Sequence, residues 1–325
     1  MSMVKGSGNM SQTPTSCLRV LKGYLKIYLK IINETGLLIR MPVQAQAFRI
    51  GGADQYPMVS IRKYNIGFLE VPYIPGSSLK GRMRSLLELA LGKKFYTADE
   101  KIWQHVRSIT FMKSAPEDFK EDVLNRCPVD DLFGWAAANY DQIRKLFEQT
   151  VGGRGMATNT ANQIFSQLAI TRLYFDDFYP TEETIKRLNA RSIADFLEEK
   201  SENRIDRITA AADPRTIPRV KPGVEFEGIT TMLFFDIDKD HVKRYLETLI
   251  YGFQLVEDTY LGGCGSRGYG RVKFRDFKLD LYKITSSGFN LNIEGPKNLG
   301  IFKELGELKA KISDIADEIA HQLYG

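Results

Sequence analysis

The chain has 325 residues, of which 43% are hydrophobic and 26% are charged, so it can bury a substantial core and is long for one compact domain. Its 45 Lys and Arg against 40 Asp and Glu give a net charge of +5. This mild positive excess excludes a histone-like protein. Any polyanionic partner must therefore be inferred from the places where the cations cluster. No stretch approaches the roughly 18 apolar residues of a membrane span, and the N-terminus lacks the apolar core of a signal peptide, so we expect a soluble protein with no membrane partner.

The cysteines and histidines show no metal-ligand or catalytic spacing. They are Cys17, Cys127, Cys264, His105, His241 and His321. An odd number of cysteines without a signal peptide indicates a reducing, intracellular setting. A histidine-based zinc site, a Ser-His-Asp triad and a two-histidine ribonuclease site are therefore poorly supported.

The first part of the chain predicts a tail, a strand and a helix. Residues 1–16 are rich in Gly, Ser and Thr and are expected to be a disordered leader or an expression remnant. From Leu25 to Ile31, apolar residues alternate with Tyr and Lys, which is the period of a strand with one buried face. A helical period begins at Ser77, the predicted N-cap, and stops at Gly92.

The middle of the chain predicts an insertion and a protrusion. Residues 95–165 lack strand alternation and are predicted to form an inserted, mostly helical subdomain. A β pattern returns over 168–175, and a polar helix is predicted over about 181–199. Residues 202–226 have little apolar content, which favours a protruding loop or hairpin over a core element.

The last part of the chain predicts two strands and two helices. The apolar pattern indicates a strand over 231–237, a helix over 242–253 and a strand over 272–281. The phase of this last strand slips near Asp276, as a β-bulge would cause. A helix over roughly 299–323 is predicted to close the chain.

The core elements therefore follow the order strand, helix, strand, then strand, helix, strand. Helices on one side of an antiparallel sheet in this order predict an α+β, ferredoxin-like (RRM-like) core. We assign that core to residues 17–94 and 166–285 and the C-terminal extension to 286–325. The fold hosts many functions and decides none, but it includes sheet-based RNA-binding modules.

The segment Ile74–Arg84 combines a Pro-Gly turn with a helix start that carries two hydroxyls and three cations. The N-terminus of a helix offers backbone N–H groups and the positive end of the helix dipole, which suit a phosphate. The candidate phosphate-binding residues here are Ser77, Ser78, Lys80, Arg82 and Arg84. From this stretch alone, a capped amphipathic helix with a solvated basic face is an equal alternative.

The second informative segment is the glycine-rich run Leu261–Arg271. Its glycines match a dinucleotide fingerprint by spacing, but a helix precedes the run and a strand follows, which is the reverse of that motif. A kinase loop and a Walker loop are excluded because their partner motifs are absent. The remaining interpretation is a loop whose main chain approaches a ligand, with Arg267 and Arg271 for charge and Tyr269 for stacking, and an unliganded hairpin is the alternative.

Together these segments resemble a known protein family. Ile74–Gly81 and Gly262–Gly270 are similar to two motifs of the repeat-associated mysterious protein (RAMP) superfamily of CRISPR systems. The stretch Glu202–Ala210, the following Asp213-Pro214-Arg215, and Leu132-Phe133-Gly134 narrow the resemblance to the backbone subunits of type III-A (Csm) interference complexes. The similarity runs from about residue 18 to residue 280 and leaves the C-terminal helix outside it.

The resemblance implies a prokaryotic, cytoplasmic subunit that polymerises along a CRISPR RNA together with other type III complex subunits. Each copy's thumb, expected around 202–226, would wedge into the duplex of guide and target RNA. A sequence-independent binder of this kind should use cations, main-chain N–H groups and glycine loops. The RNA-binding residues that the resemblance adds are Arg204, Arg207, Gly262, Gly263, Gly265, Ser266, Arg267, Gly268, Tyr269 and Gly270.

The resemblance also implies metal-dependent cleavage of the target RNA, with an Asp in the loop after the first strand as the essential residue. The matching residue is Asp54. One carboxylate binds Mg²⁺ weakly, so water and RNA phosphates would complete the coordination. From the residues alone, Asp54 beside two glycines would be a turn residue.

The sequence departs from the family pattern in three places. Leu38 stands where the family often has a His, and Arg40 or Arg49 could replace its contact to RNA. One extra residue separates Asp54 from the following proline, which affects the placement of the carboxylate. Some relatives carry a structural zinc in the helical insertion, but Cys127 stands alone there in the sequence, so no zinc is predicted.

Three functions stay open at this point. The first is an RNA-guided endoribonuclease subunit with Asp54 as the catalytic residue. The second is an architectural CRISPR RNA-binding subunit in which Asp54 is inert. The third is a CRISPR RNA-processing nuclease, which the lack of well-placed histidines disfavours.

Overall fold

The computed structural model describes residues 19–42, 55–97, 99–105, 113–135, 139–150 and 154–325. The predicted leader and Asp54 lie outside these residues. The strands are β1 Leu21–Asn33, β2 Val59–Tyr64, β3 Gly67–Pro72, β4 Leu173–Phe175, β5 Tyr179–Pro180, β6 Leu197–Ile205, β7 Ala212–Val220, β8 Glu225–Phe235, β9 Val272–Ser287 and β10 Asn290–Glu304. The helices are α1 Gly76–Ala90, α2 Pro116–Leu124, α3 Pro128–Phe133, α4 Tyr140–Thr150, α5 Arg154–Gln167, α6 Glu182–Leu188, α7 Val242–Asp258 and α8 Leu305–Tyr324.

An antiparallel sheet with the strand order β10-β9-β1-β8-β4 organises the fold, and β5 also pairs with β8. The central strand is β1, whose apolar residues between Leu25 and Ile31 are buried, as the alternation predicted. The bulge predicted near Asp276 is also present, because the pairing of β1 with β9 shifts there and Asp276 has a φ of +53°. The chain is therefore a mixed α/β protein built on an antiparallel sheet.

Helices α1 and α7 pack together beneath the sheet. Leu79, Met83 and Leu87 form the buried stripe of α1. Gly252 of α7 lies so close to α1 that an added Cβ would stand 2.7 Å from the Met83 side chain. This close packing fixes α1 against α7, and the glycine-rich run follows α7 directly.

The inserted helices have a core of their own. Helices α2, α4 and α5 bury a cluster that includes Phe119, Ile143, Phe147 and Ile164. Helix α3 instead contributes Leu132 and Phe133 to the main core. No helix among the described residues is long and apolar enough to cross a bilayer.

Strands β6 and β7 form a separate two-stranded hairpin, paired from Leu197 with Val220 to Ile205 with Ala212. Most of its residues are exposed, and the hairpin meets the rest of the fold at its base, where Val220 bridges to Leu37. This hairpin occupies 197–220, so it begins earlier than the protrusion predicted over 202–226.

Several predicted boundaries were wrong. Ser77 is not the N-cap of α1, because the helix already includes Gly76 and is preceded by Pro75. The strand predicted over 168–175 begins only at residue 173, and the helix predicted over 181–199 ends at residue 188. The C-terminal helix was predicted to start near 299, but residues up to 304 belong to β10. The sequence shows no regular strand period over β10, because this strand lies at an exposed edge and its pairing with β9 shifts register twice.

Candidate nucleic-acid interface

The glycine-rich run follows α7 and folds back against the chain after β1. The Gly263 N–H donates to the Leu38 carbonyl at 2.7 Å, and the Gly270 N–H donates to the Gly36 carbonyl at 3.0 Å. Gly262 has a φ of +81°, and a Cβ there would stand 2.6 Å from the Leu38 carbonyl oxygen. These glycines are needed for packing of the loop itself, and they place it beside residues 36–40.

The exposed tip of this loop is formed by Ser266, Arg267 and Gly268. Gly268 has a φ of +80° with open space around it. Cys264 also adopts a left-handed conformation, with a φ of +60°, and its thiol lies 3.6 Å from the Arg40 guanidinium and 4.0 Å from the Gln55 amide oxygen. The tip therefore offers a hydroxyl and a cation to a ligand, whereas the Arg267 and Gly268 N–H groups donate within the loop to the carbonyls of Cys264 and Gly265.

Helix α1 adjoins this loop through Arg82. The Arg82 guanidinium donates to the Tyr260 carbonyl at 3.0 Å and to the Thr259 hydroxyl at 3.2 Å, and it lies 4.0 Å from the centre of the Tyr260 ring. The same ring packs against Gly265, where a Cβ would overlap it. The structure thus brings together the two segments that the sequence singled out, and Arg82 joins them.

The start of α1 is less open to a phosphate than the sequence predicted. The Gly76 N–H donates to the Asp177 carboxylate at 2.8 Å, so an anionic side chain of the chain itself already caps this helix end. Ser77 is exposed and Ser78 is half-buried. The two hydroxyls remain candidates, but the backbone donor at the helix end is occupied.

Lys80 and Arg84 lie on the same face of α1 but have different surroundings. Lys80 is half-buried, has no acidic partner among the residues described, and its pKa is lowered by burial and by the neighbouring Arg84. Arg84 instead contacts Glu88 at 2.7 Å and Asp130 at 3.2 Å. Its guanidinium also donates to two backbone carbonyls at 2.8 Å each.

The Arg84 donors are taken by the insertion and by its own helix. RNA binding by Arg84 stays a prediction, and these contacts give the side chain a structural role that competes with it. Lys80 is the cation of α1 that stays available.

A basic cleft lies between the protruding hairpin and the glycine-rich loop. It has a volume of about 730 Å³ and is lined by Lys200, Glu202, Asn203, Arg204, Ile205, Arg207, Arg215 and Arg267. Five of these side chains are cationic and one is acidic, so the cleft has a strong positive excess. Such a surface suits a polyanion.

Glu202 and Lys200 tie the hairpin to the loop. The Lys200 ammonium donates to the Arg267 carbonyl at 2.8 Å. Glu202 lies 3.0 Å from Arg215 and 3.4 Å from Arg267. Burial opposes ionisation of Glu202, but the Tyr269 hydroxyl and the two guanidiniums outweigh it and lower its pKa. The acid thus holds two arginines from different elements side by side.

The predicted stacking role of Tyr269 stays a prediction, but the surroundings of its ring do not favour it. Its side chain is 1% exposed and packs with Leu38 and Ile217. Burial and the nearby Glu202 raise the pKa of Tyr269 to about 12. Lys200 and Arg219 lie 4.5 Å and 4.7 Å from its ring centre, so no face of the ring is available to a base.

Sequence reasoning missed Lys200 and Arg215 as members of the cleft. They flank Arg204 and Arg207 along the two strands of the hairpin, and Lys200 pairs with Ile217 while Arg215 pairs with Glu202. The antiparallel register brings Lys200 and Arg215 together. A sequence prediction could have placed them in the cleft only by recognising a hairpin with its turn near residue 208.

A second cluster could hold a metal ion. His105, Asp122, Cys127 and Asp130 offer ligand atoms that lie within 4.8 Å of one another. The His105 Nε2 atom is 3.1 Å from Asp122 and 3.5 Å from Asp130, and these carboxylates outweigh burial and raise the pKa of His105 to about 12. Cys127 does not stand alone, so the argument against zinc from its isolation in the sequence was wrong.

The chain belongs to the RAMP superfamily, whose family model matches residues 61–273. It is 31% identical over 292 residues to the "CRISPR system Cms endoribonuclease Csm3" of Methanothermobacter thermautotrophicus, an alignment that covers 90% of this chain and 98% of that protein. The protein of the same name from Streptococcus thermophilus is 31% identical and covers 78% of this chain and 88% of its own. The crystal structure of Methanopyrus kandleri Csm3 has the same fold, with a TM-score of 0.52 at 19% identity over 92% of this chain and 98% of that one.

Proposed function

We propose that this chain is a CRISPR RNA-binding backbone subunit of a type III-A effector complex that cleaves complementary target RNA at regular intervals. The observation that carries the proposal is the five-cation cleft joined to α1 through Arg82, in a chain of the RAMP superfamily. The two relatives, whose alignments cover 90% and 78% of this chain, are named endoribonucleases. Its partners are CRISPR RNA, target RNA, further copies of itself and other type III subunits.

We also propose that the core of the chain has the ferredoxin-like fold. The strands β1, β4, β8 and β9 with helices α1 and α7 follow the order β-α-β-β-α-β, and their sheet order supports a ferredoxin-like core. We assign the role of thumb to the hairpin β6/β7. We propose that the core comprises residues 17–94 and 166–285, the helical insertion residues 95–165 and the C-terminal extension residues 286–325.

The binding chemistry of the cleft is independent of RNA sequence. Arginine and lysine side chains at its walls contact phosphates, and the exposed Ser266 hydroxyl at the tip of the adjoining loop adds a donor. None of the cleft residues is an aromatic side chain that could read a base. Sequence selection then falls to the guide RNA by base pairing.

Cleavage is assigned to Asp54 with a divalent cation, Mg²⁺. The cation would offset charge on the scissile phosphate and on the leaving oxygen, and water and RNA oxygens would complete its coordination. Asp54 follows β1 in the sequence and lies outside the described residues, so the assignment rests on its position in the family motif.

The test compares assembled complexes that contain either the unaltered chain or Asp54→Ala, supplied with complementary RNA and Mg²⁺. We expect retained RNA binding with loss of the regularly spaced cuts. Unchanged cleavage would show that another component cuts and that this chain is architectural. Asp240→Ala serves as the control, since this exposed carboxylate lies outside the cleft.

The His105 cluster requires a separate test of the no-zinc prediction. Its imidazole and thiol are ligands that zinc prefers over magnesium. Metal analysis of the purified chain beside Cys127→Ser gives the answer. Zinc that is bound stoichiometrically and lost in the variant would overturn the prediction.

A further inference from the structure

The main sheet has a second face, which points away from its helices. In β1, Tyr24, Lys26 and Tyr28 alternate with the buried Leu25 and Ile27, so these three side chains project from the side opposite to the core. Helices α1, α7 and α8 pack with the buried side chains, whereas the tyrosines and lysines of the second face are half-buried or exposed. We call this surface the open face, and its side chains are Tyr24, Lys26, Tyr28, Tyr174, Lys278 and Tyr282.

Strand register collects the tyrosines of the open face. Tyr24 of β1 pairs with Tyr282 of β9, and their rings stack with centres 4.7 Å apart and planes 15° apart. Tyr28 follows on the same face of β1. Tyr174 of β4 is 45% exposed, and it points away from the core because its neighbour Leu173 is buried. A nucleobase can extend a stack of this kind on the outer side of a ring.

Two lysines stand beside these rings. The Lys26 ammonium lies 6.0 Å and 5.6 Å from the ring centres of the stacked pair, and it forms no ion pair with an acid among the described residues. The Lys278 ammonium lies 5.1 Å from the centre of the Tyr28 ring and 2.7 Å from the Asp280 carboxylate. These distances exceed those at which the ring of Tyr269 is covered, so the rings and the cations are available together.

A groove beyond Tyr28 limits the extent of this surface. It has a volume of about 340 Å³ and lies at the end of β1 that carries Lys30. Its two cations are outnumbered by four carboxylates, which belong to Asp176, Asp177, Glu227 and Asp276. Carboxylates repel a phosphate chain, so a polyanion on the open face is confined to the part that carries the tyrosines.

We propose that the open face binds single-stranded RNA by stacking, as a second RNA surface separate from the cleft. Tyr24, Tyr28 and Tyr282 would contact bases, and Lys26 would contact a phosphate between them. A protein partner is disfavoured, because it would have to bury Lys26 without an acid of this chain beside it, whereas RNA supplies the anion itself. The inference goes beyond the proposed function, which assigns RNA to the cleft and to α1.

The test measures the affinity of the full chain for a short labelled single-stranded RNA by fluorescence anisotropy, in a background of Arg204→Ala with Arg207→Ala that weakens the cleft. Adding Tyr24→Leu with Tyr28→Leu should weaken binding at least about fivefold, because stacking is lost. The matched variant, Tyr24→Phe with Tyr28→Phe, keeps the rings and should keep the affinity. Urea unfolding of both variants shows whether they are equally folded.

Two further variants separate stacking from a general effect of tyrosine or charge. Tyr251→Leu removes an exposed tyrosine of α7 that also has a lysine beside it, Lys309 at 4.9 Å, and should leave RNA binding unchanged. Lys26→Gln keeps the aromatic surface and should reduce the magnitude of the salt slope by about 0.7. Photo-crosslinking of RNA that contains thiouridine should label residues 24–28 and 278–282.

Three results would overturn the inference. The first is equal affinity of the Leu and Phe variants, and the second is crosslinking confined to the hairpin β6/β7 and the glycine-rich loop. Unchanged RNA binding together with weaker incorporation of the Leu variant into the assembled complex would assign the open face to a protein subunit. Complete loss of RNA binding in the Arg204 and Arg207 background would reject the second surface but leave the proposed function intact, whereas RNA binding that is insensitive to these two substitutions would count against the cleft alone.

Discussion

Lys80 and Arg84 lie one helical turn apart on α1, but of the two only Arg84 has acidic partners among the described residues. Lys80→Ala should weaken binding to all RNA sequences about equally and reduce the magnitude of the salt slope by about 0.7, since one phosphate contact is lost. The reason is that Lys80 has no acidic partner among the described residues and keeps its charge for a ligand. Fluorescence anisotropy with unrelated RNAs over a salt series checks this, and a loss confined to one sequence would contradict it.

Arg84→Ala should act on stability first. It leaves the carboxylates of Glu88 and Asp130 buried with one cation fewer, which costs on the order of 3–5 kcal/mol. Urea unfolding of the variant measures the cost, with Lys80→Ala as the matched control from the same helix face. Unaltered stability together with weaker RNA binding would restore Arg84 to the interface.

At the scale of elements, a buried ion-pair network connects the insertion to the sheet. Asp238 accepts from Arg126 at 2.6 Å and from Arg172 at 2.8 Å, and Arg126 also contacts Asp131 at 2.7 Å. Tyr245 of α7 completes the network, with its hydroxyl 2.6 Å from Asp131. Residues far apart in sequence thus fix α3 against α7 and the end of β8.

Asp238→Ala should destabilise the protein by about 3–5 kcal/mol, because two buried guanidiniums lose their shared carboxylate. Chemical unfolding measured by circular dichroism tests this. Asp240→Ala, an exposed acid two residues on, should change stability by less than about 0.5 kcal/mol. Equal effects of the two substitutions would show that the network contributes nothing specific.

The elements with a clear period could be predicted from the sequence. The strand β1 and the helix α7 each bury one regular stripe of apolar residues, so the period of those residues predicts both elements. The strand β10 could not be predicted, because it is an edge strand with two register shifts and almost no buried side chains. The hairpin β2/β3 was missed for a related reason, since Ile61 and Phe68 are apolar but face outward.

At the scale of the whole molecule, the candidate site depends on contacts between distant segments. The motif sequences predicted that α1 and the glycine-rich loop carry the site, but only the folded chain shows that Arg82 joins them. The folded chain also shows that Lys200 and Arg219 cover the ring of Tyr269, which the sequence could not indicate. The His105 cluster illustrates the same limit, because no local spacing relates His105 to Cys127.

The net charge of +5 understates the basic character of this molecule, because five cations and one acid line a single cleft. If single-stranded RNA contacts all five, the logarithm of the binding constant should fall with the logarithm of salt at a slope of about −3.5. Arg207→Ala should bring the slope to about −2.8, since this residue has no acidic partner among the described residues. Lys239→Ala is the matched control, because this exposed cation follows the far end of β8 and should leave the slope unchanged. Equal slopes for both variants would mean that the RNA does not enter the cleft.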